Sequence, residues 1–94
     1  MPHFFLKLIA PRPTFAIDMT ENEKKLMQQH AIYWKGRQDK GEVVVFGPVM
    51  DSAGPYGVGV IEAAGEAAAR AFADNDPVAK AGLAFAARFH RCAP

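Results

Sequence analysis

The chain of 94 residues has a single cysteine, almost no net charge and no long apolar run. One cysteine cannot form a disulfide within the chain. A formal net charge of +1 lacks the basic excess of a nucleic-acid-binding surface. The longest apolar stretches are interrupted by Lys7, Pro11 and Gly47, short of the roughly 18 residues that a membrane-spanning helix needs. These features exclude a disulfide scaffold and predict that neither nucleic acid nor membrane is a partner.

The apolar segment near the start of the sequence, Phe4 to Ala10, does not have the pattern of a signal peptide. It is too short for the apolar core of such a peptide, it contains Lys7, and no basic region precedes it. We therefore expect a cytoplasmic protein.

The composition that is present indicates a globular protein. Half of the residues are apolar and 22% are charged, whereas a disordered chain has fewer apolar residues and more net charge. There is no internal repeat and no linker, so we expect one domain over residues 1–94. A domain of this length buries only about 60–70% of the surface of its unfolded chain. Packing against a second copy of the chain would bury additional apolar surface.

Apolar periodicity and turn formers divide the chain into four predicted strands and two predicted helices. A capping box of Thr20 and Glu23 predicts the start of the first helix, and Gly41 predicts its end. The segment Pro11 to Asp18 is predicted to be a loop. The predicted strands are His3–Ala10, Glu42–Phe46, Tyr56–Glu62 and Leu83–Arg91, and the predicted helices run from Glu21 to Gln38 or Asp39 and from Gly65 to Ala73.

This order of elements, β-α-β-β-α-β, predicts a ferredoxin-like α+β sandwich in which two helices cover one face of a four-stranded antiparallel sheet. In the first strand, Phe4, Leu6 and Leu8 alternate with Phe5 and Ile9, so both faces are largely apolar. A sheet face exposed to water shows cleaner alternation with polar residues. We therefore expect a homodimer, or a higher homo-oligomer, that buries the second sheet face.

His30 is the sharpest chemical feature, because it lies within the predicted apolar stripe of the first helix. Imidazole titrates near neutral pH, so a histidine on the inner face of a helix can act as a general acid or base. A carboxylate is needed to hold its tautomer, and Asp76, just before Pro77, is the candidate. The alternative is a core histidine with satisfied hydrogen bonds and an aspartate that only ends a helix. Spacing alone does not decide between these interpretations.

Gly57 and Gly59 lie on one face of the third predicted strand and remove side-chain volume there. Such glycines often mark the close approach of a ligand, which suggests a pocket floor; the alternatives are a bulge or tight packing against a helix. Tyr33 and Trp34 are expected mainly in the core, with any pocket lining secondary. The candidate pocket residues around His30 and Asp76 are Arg12, Tyr33, Trp34, Gly47, Pro48, Gly59 and Pro77.

No metal site is predicted, because His3, His30 and His90 are far apart and no second ligand lies at metal-binding spacing. Pairing of the first and fourth strands could bring His3 near His90, but two histidines without a carboxylate make a poor site. Several cations could bind an anion, with a solvated surface as the alternative. These are Lys7, Arg12, Arg88 and Arg91.

A set of short motifs, in a specific order and spacing, covers nearly the whole chain. These motifs are Pro11-Arg12-Pro13-Thr14-Phe15, Gln29-His30-Ala31-Ile32-Tyr33-Trp34, Gly41, Val45-Phe46-Gly47-Pro48-Val49, Asp51, Gly54-Pro55-Tyr56-Gly57, Asp76-Pro77 and Gly82-Leu83. Together they resemble the YciI-like (YCII-related) family. Many relatives have Phe after the Asp-Pro pair, whereas this chain has Val78, so we expect a different pocket wall.

The resemblance implies a dimeric α+β barrel, formed when two ferredoxin-like sheets pack together. It also implies that the helix histidine and the Asp-Pro aspartate, here His30 and Asp76, form a His-Asp pair in a cleft. A related enzyme removes chloride from a chlorinated hydroxyhydroquinone, which implies acid/base chemistry on a small cyclic substrate. Most relatives have no assigned reaction, and a fold does not determine a function.

Together these observations predict a small enzyme without a cofactor, of the lyase (dehydrochlorinase) or isomerase type, acting on a small cyclic organic substrate. His30 is expected to shuttle a proton, and Asp76 to orient it or share the proton. Backbone groups near Gly47 and Gly59 are expected to shape the pocket. The competing hypothesis is a non-catalytic module that binds a small ligand or interacts with a partner.

Overall fold

The computed structural model describes residues 1–83 and 85–93. Within these residues the chain forms four strands, two longer helices and two helices of about one turn. No helix in this part of the chain combines the length and the apolar character needed to cross a bilayer. The predicted α+β class is confirmed. The strands are β1 (His3–Ile9), β2 (Val43–Val49), β3 (Tyr56–Glu62) and β4 (Ala86–Arg91), and the helices are α1 (Phe15–Asp18), α2 (Glu21–Asp39), α3 (Glu66–Asp74) and α4 (Pro77–Ala81).

The strands form one antiparallel sheet in the order β2-β3-β1-β4. On one side of β1, Phe4 faces Ile61 and Leu6 faces Gly59 of β3; on the other side, Leu6 faces Phe89 of β4. With α2 connecting β1 to β2 and α3 connecting β3 to β4, this is the ferredoxin-like arrangement. The predicted pairing of the first and fourth strands is confirmed.

The core lies on the sheet face that α2 and α3 cover. Phe4 and Ile61 are fully buried beside each other on β1 and β3. The helices add Trp34 from α2 and Phe72 from α3, whose ring centroids are 4.7 Å apart. Edge-to-face packing of this kind favours a fixed relative position of the two helices above the sheet.

The opposite sheet face carries apolar side chains that the chain leaves partly exposed. Phe5, Val58 and Val60 are half-buried, and Val45 of β2 is 53% exposed. In the strand register Phe5 faces Val60, and Val60 faces Val45, so these side chains adjoin. We call Phe5, Val45, Val58 and Val60 the open-face patch.

Both predicted boundaries of the first helix agree with α2. The backbone N–H of Glu23 donates to Thr20 Oγ1 at 3.2 Å, and the N–H of Thr20 donates to Glu23 Oε1 at 2.8 Å, which completes the capping box. The helix ends at Asp39, shortly before Gly41. Gly41 has a φ of 83°, a left-handed conformation that favours glycine.

Two predicted strand boundaries differ from the structure by more than one residue. β2 continues past Gly47 and Pro48 instead of ending there, because an edge strand tolerates a proline that lacks an N–H. β4 begins at Ala86 rather than at Leu83. Ala84, which the predicted strand included, lies outside the described residues.

The segment Pro11–Asp18 is not entirely a loop, since it contains α1. A second short helix, α4, follows α3 directly and starts at Pro77. Proline is favoured at the first helical position, because its missing N–H has no helical partner to lose there. Helices of one turn are too short to show an apolar period, which explains why both escaped prediction.

Candidate functional site

His30 lies on α2 one turn before Trp34, on the side of the helix that faces the sheet. Leu26, one turn earlier, is buried in the same stripe, and the His30 and Trp34 ring centroids are 6.0 Å apart. Twenty per cent of the His30 side chain remains exposed. The helix thus holds the imidazole at the edge of the core, where it can contact other side chains of the chain as well as the space outside the core.

Asp76 is the N-cap of α4. Its backbone is extended, with φ −62° and ψ 133°, and its Oδ1 accepts a hydrogen bond from the N–H of Val78 at 2.9 Å. Pro77 limits the backbone conformations open to Asp76, and Gly82, in a left-handed conformation, caps the C-terminal end of the short helix. The cap therefore holds the carboxylate at a fixed place, with only 10% of the side chain exposed.

The two candidate residues meet directly. Nδ1 of His30 lies 2.9 Å from Oδ1 and 2.8 Å from Oδ2 of Asp76. Oδ2 also accepts a hydrogen bond from Nε1 of Trp34 at 2.7 Å. The carboxylate thus receives donors from α2 and from the backbone of α4. We call His30 and Asp76 the His-Asp pair.

The surroundings of Asp76 favour its ionised form. Burial alone raises the pKa of its carboxyl group, but the hydrogen bond and the charge of His30, with the bonds from Trp34 and the Val78 N–H, outweigh burial and hold the pKa below its ordinary value. Asp76 is therefore a carboxylate at neutral pH. A carboxylate can only accept hydrogen bonds, so a neutral His30 carries its proton on Nδ1.

The second ring nitrogen of His30, Nε2, makes no hydrogen bond with the described residues. Every buried side-chain nitrogen or oxygen in that part of the chain has a hydrogen-bond partner. Nε2 is consequently not enclosed by protein. In the tautomer that Asp76 holds, this atom bears a lone pair and can accept a proton.

A cavity of about 430 Å³ adjoins the pair, between the sheet and the helices α1, α2 and α4. Its volume falls in the range of about 300–1,000 Å³ found for small-molecule sites. His30 and Asp76 line it together with mainly apolar side chains, among them Leu6, Leu8, Phe15, Met27, Phe46, Val78 and Phe85. The cavity thus offers an apolar space with the His-Asp pair at its wall.

Gly59 and Gly57 of β3 both line the cavity, but they differ in what they accommodate. A Cβ atom on Gly59 would lie 2.2 Å from Cζ3 and 2.3 Å from Cη2 of Trp34. A Cβ atom on Gly57 would meet only Leu8, at an ordinary 3.5 Å. Gly59 therefore provides room for the indole ring. This agrees with the alternative interpretation of this glycine from the sequence, tight packing against a helix.

A family model described as the YCII-related domain matches residues 3–90. The chain belongs to the YCII-related family. The matched range contains all four strands up to His90 and both members of the His-Asp pair. This confirms the resemblance inferred from the ordered motifs. Among curated proteins, none matches the chain.

In this YCII-related domain, the candidate pocket residues separate into two groups. Trp34, Gly47, Pro48 and Gly59 line the cavity with the His-Asp pair. The other three are not among its described lining residues. The Tyr33 hydroxyl donates to the carbonyl oxygen of Phe72 at 2.7 Å, Arg12 binds Glu23 at the start of α2, and Pro77 is the first residue of α4.

Arg12 joins the β1–α1 connection to the start of α2. Its guanidinium donates to both carboxylate oxygens of Glu23, at 3.0 and 2.7 Å, and to Oδ1 of Asp18 at 2.7 Å. The hydrogen bonds from Arg12 and from the Thr20 N–H lower the pKa of Glu23 to about 2. Since its donors are used within the protein, Arg12 stabilises the segment that carries α1 and does not present a free cation to a ligand.

The other two histidines are not among the described lining residues of the cavity, whereas the mid-strand cations Lys7 and Arg88 do line it. Nε2 of His3 is 3.0 Å from Oε1 of Glu62, and His90 lies opposite Phe5 rather than His3. Lys7 faces Arg88 across β1 and β4, and its ammonium sits 4.2 Å from the centroid of the Tyr56 ring. The described residues contain no cluster of three or more His, Cys, Asp or Glu suited to a metal ion.

Apart from Trp34 and Pro48, the candidate pocket residues did not include the apolar side chains that line the cavity. Met27 of α2 could have been found, because it lies three residues before His30 on the same side of the helix. Phe15 of α1 and Val78 of α4 carry no such signal, since single-turn helices lack a period. Their position depends on tertiary packing.

Proposed function

We propose that the His-Asp pair performs general acid/base catalysis, without a cofactor, on a small, weakly acidic cyclic molecule held in the adjoining cavity. The observation that supports this most directly is the position of Asp76 on Nδ1 of His30, which leaves Nε2 as a proton acceptor at an apolar cavity wall. The reaction type is a lyase, such as a dehydrochlorinase, or an isomerase.

His30 and Asp76 have different roles in this proposal. Asp76 already accepts hydrogen bonds on both oxygens, so it orients His30 and stabilises the imidazolium rather than contacting the substrate. Nε2 takes a proton from an O–H or C–H group of the substrate, whose bonding electrons remain on the substrate. An isomerase reaction returns that proton to another substrate atom. A lyase reaction ends when the electrons expel a leaving group as an anion, and the proton passes from Nε2 to solvent.

Next to His30, the charge of the His-Asp pair favours a neutral substrate over a carboxylate, although the cations Lys7 and Arg88 also line the cavity. With Asp76 ionised and His30 neutral, the pair carries one negative charge, which repels an anion in a medium of low polarity. A neutral hydroxyl compound avoids this repulsion. Once its proton reaches Nε2, the resulting imidazolium lies between two anions and stabilises both.

A chromophoric phenol tests this proton transfer. We expect the wild-type protein to increase the phenolate absorbance of 4-nitrophenol at a pH where the free phenol is mostly protonated, and His30→Gln to abolish that increase. His3→Gln is the matched control, because His3 also lies 3.0 Å from a carboxylate but outside the cavity. A bound phenol that stays protonated, or an equal effect in His30→Gln, contradicts the proposal.

The alternative function, a non-catalytic binding module, is supported by the same apolar cavity. The two are separated by turnover of hydroxylated aromatics and lactones, including chlorinated ones, followed by NMR and chloride release. Product formation that requires His30 supports the enzyme. Binding that requires His30, with every compound recovered unchanged, supports the binding module.

The proposed assembly is a homodimer, as in a dimeric α+β barrel, in which the open-face patches of two copies pack together. The patch is apolar and partly exposed, and Val45 alone is 53% exposed. Burying it against a second copy removes apolar surface that a domain of this size cannot cover itself. The His-Asp pair lies on the other side of the sheet, and Val58 is the one patch residue that also lines the cavity.

A further inference from the structure

We propose that Trp34 is a positioning residue of the His-Asp pair: its indole N–H fixes the orientation of the Asp76 carboxylate, and Gly59 provides the space that the indole requires. This inference rests on the proposed function, because it concerns how the proton-accepting nitrogen of His30 is selected. It assigns to a core tryptophan and a strand glycine a part in the chemistry of the site.

Each oxygen of Asp76 has a donor of its own besides His30. Oδ2 accepts from Nε1 of Trp34 at 2.7 Å, and Oδ1 accepts from the Val78 N–H at 2.9 Å. Rotation of the carboxylate away from this orientation breaks both bonds. Nδ1 of His30 lies nearly equidistant from the two oxygens, at 2.9 and 2.8 Å, and therefore does not select the orientation itself. The plane of the carboxylate is set by Trp34 and Val78.

The indole is itself held in one position. Trp34 is 5% exposed, and its ring packs against Phe72 and Phe46 with centroids 4.7 and 5.8 Å away. On the sheet side it occupies the volume that a Cβ atom of residue 59 would fill, 2.2 Å from Cζ3. A ring in such packing cannot move aside cheaply. The absence of a side chain at Gly59 is therefore what allows the indole to reach Asp76.

Loss of the indole N–H has two chemical consequences. The carboxylate loses a hydrogen bond that favours its charged form, so its pKa rises. Its orientation is then held only by the Val78 N–H, so Nδ1 of His30 faces a less firmly fixed acceptor and the imidazole populates both neutral tautomers. Trp34 thereby keeps Nε2, rather than Nδ1, as the proton acceptor.

The test is Trp34→Phe, read by NMR of specific side-chain nuclei. We expect the midpoint of the Asp76 carboxyl titration to move upward, and the ring ¹⁵N shifts of His30 to change from one tautomer to a mixture. Tyr33→Phe is the matched control on the same helix: it removes the bond to the Phe72 carbonyl, which does not involve the pair, and should leave both readouts unchanged.

A second variant separates the hydrogen bond from packing. Trp34 is the only tryptophan, so it can be replaced throughout the protein by benzothienylalanine, which keeps the bicyclic shape and removes the N–H. We expect the same two shifts in a protein that folds as the wild type does. Unchanged Asp76 titration and an unchanged His30 tautomer in this protein overturn the inference, because Trp34 would then be structural only. Neither readout needs a substrate, so a failure of the 4-nitrophenol experiment can be distinguished from a failure of the inference about Trp34.

Discussion

Two side chains and one missing side chain decide the geometry around Asp76. His30 and Trp34 both donate to its carboxylate from α2, and the indole reaches it only because residue 59 is a glycine. At this scale the site depends on volume as much as on charge. A methyl group added at residue 59 of β3 therefore affects both the stability of the protein and the hydrogen bond from Trp34 to the Asp76 carboxylate.

Substitution at the two cavity glycines tests this directly. We expect Gly59→Ala to lower the free energy of unfolding by about 1–3 kcal/mol, the cost of overpacking a filled core. Gly57→Ala, on the same face of β3, should change it by less than about 1 kcal/mol, because its Cβ would lie at an ordinary 3.5 Å from Leu8. Urea denaturation measures both. Equal effects of the two substitutions would contradict the account of Gly59.

Single residues also show where sequence reasoning is informative. His30 and Asp76 could be singled out because an imidazole within an apolar stripe and an aspartate before proline are unusual in type and place. The bond from Trp34 to Asp76 could not, because tryptophan in an apolar stripe is expected in the core whatever its N–H contacts. Arg12 was selected as a cation, but its carboxylate partners come from two different elements.

The junction between α1 and α2 is held by charge. Arg12 bridges Asp18, at the end of α1, and Glu23, in the first turn of α2, while Glu23 also completes the capping box with Thr20. Since Phe15 of α1 lines the cavity, this ion-pair network also fixes one wall of the candidate site. The network depends on ionised carboxylates and so on pH.

Acid titration of stability tests this junction. The pKa of Glu23 is about 2 in the folded protein against an ordinary 4.5, so the unfolded chain binds its proton first as the pH falls. The stability that Glu23 contributes is complete above pH 4.5 and is lost as the pH falls toward 2. We expect Glu23→Gln to make stability less dependent on pH within this window.

The melting temperature, measured by circular dichroism at several pH values, provides the readout. Asp18 and Asp76, whose pKa values are also lowered, maintain part of the slope in the variant. Glu21→Gln is the control in the same first turn, because its side chain is 90% exposed. A slope in Glu23→Gln equal to that of the wild type would show that the network does not act in this way.

The helices and strands that were predicted best are long ones with turn-forming residues at their ends. β3 agrees at both ends with the prediction Tyr56–Glu62, because turn formers precede it and glycine follows it. β2 extends further, since Gly47 and Pro48 normally end a strand and only its place at the sheet edge makes them acceptable. α1 and α4 are too short for periodicity to reveal.

For the whole molecule, the apolar character of both sheet faces is the main constraint. One face carries the core under α2 and α3, and the other carries the open-face patch. The order of elements sufficed to predict the sheet and its helix layer. A pocket beside His30 and Asp76 was also expected, but most of its apolar walls could not be predicted, because they come from several elements whose distances arise only on packing.

Oligomeric state tests the proposed assembly. We expect the wild-type protein to sediment as a dimer at micromolar concentration and Val60→Glu to sediment as a folded monomer, because it places a charge within the open-face patch. Ile32→Glu is the control, since Ile32 is an exposed apolar residue on α2, 72% exposed and outside the patch. A monomeric wild type, or a dimeric Val60→Glu protein, would contradict the assembly.

The central claim is that Asp76 holds the proton of neutral His30 on Nδ1, so that Nε2 accepts protons at the cavity. Long-range ¹H–¹⁵N correlation spectra of the wild-type protein, assigned with His30→Gln, report the state of each ring nitrogen. At a pH where His30 is neutral, we expect a protonated Nδ1 and an unprotonated Nε2. A proton on Nε2, or two tautomers in comparable amounts, would contradict the account.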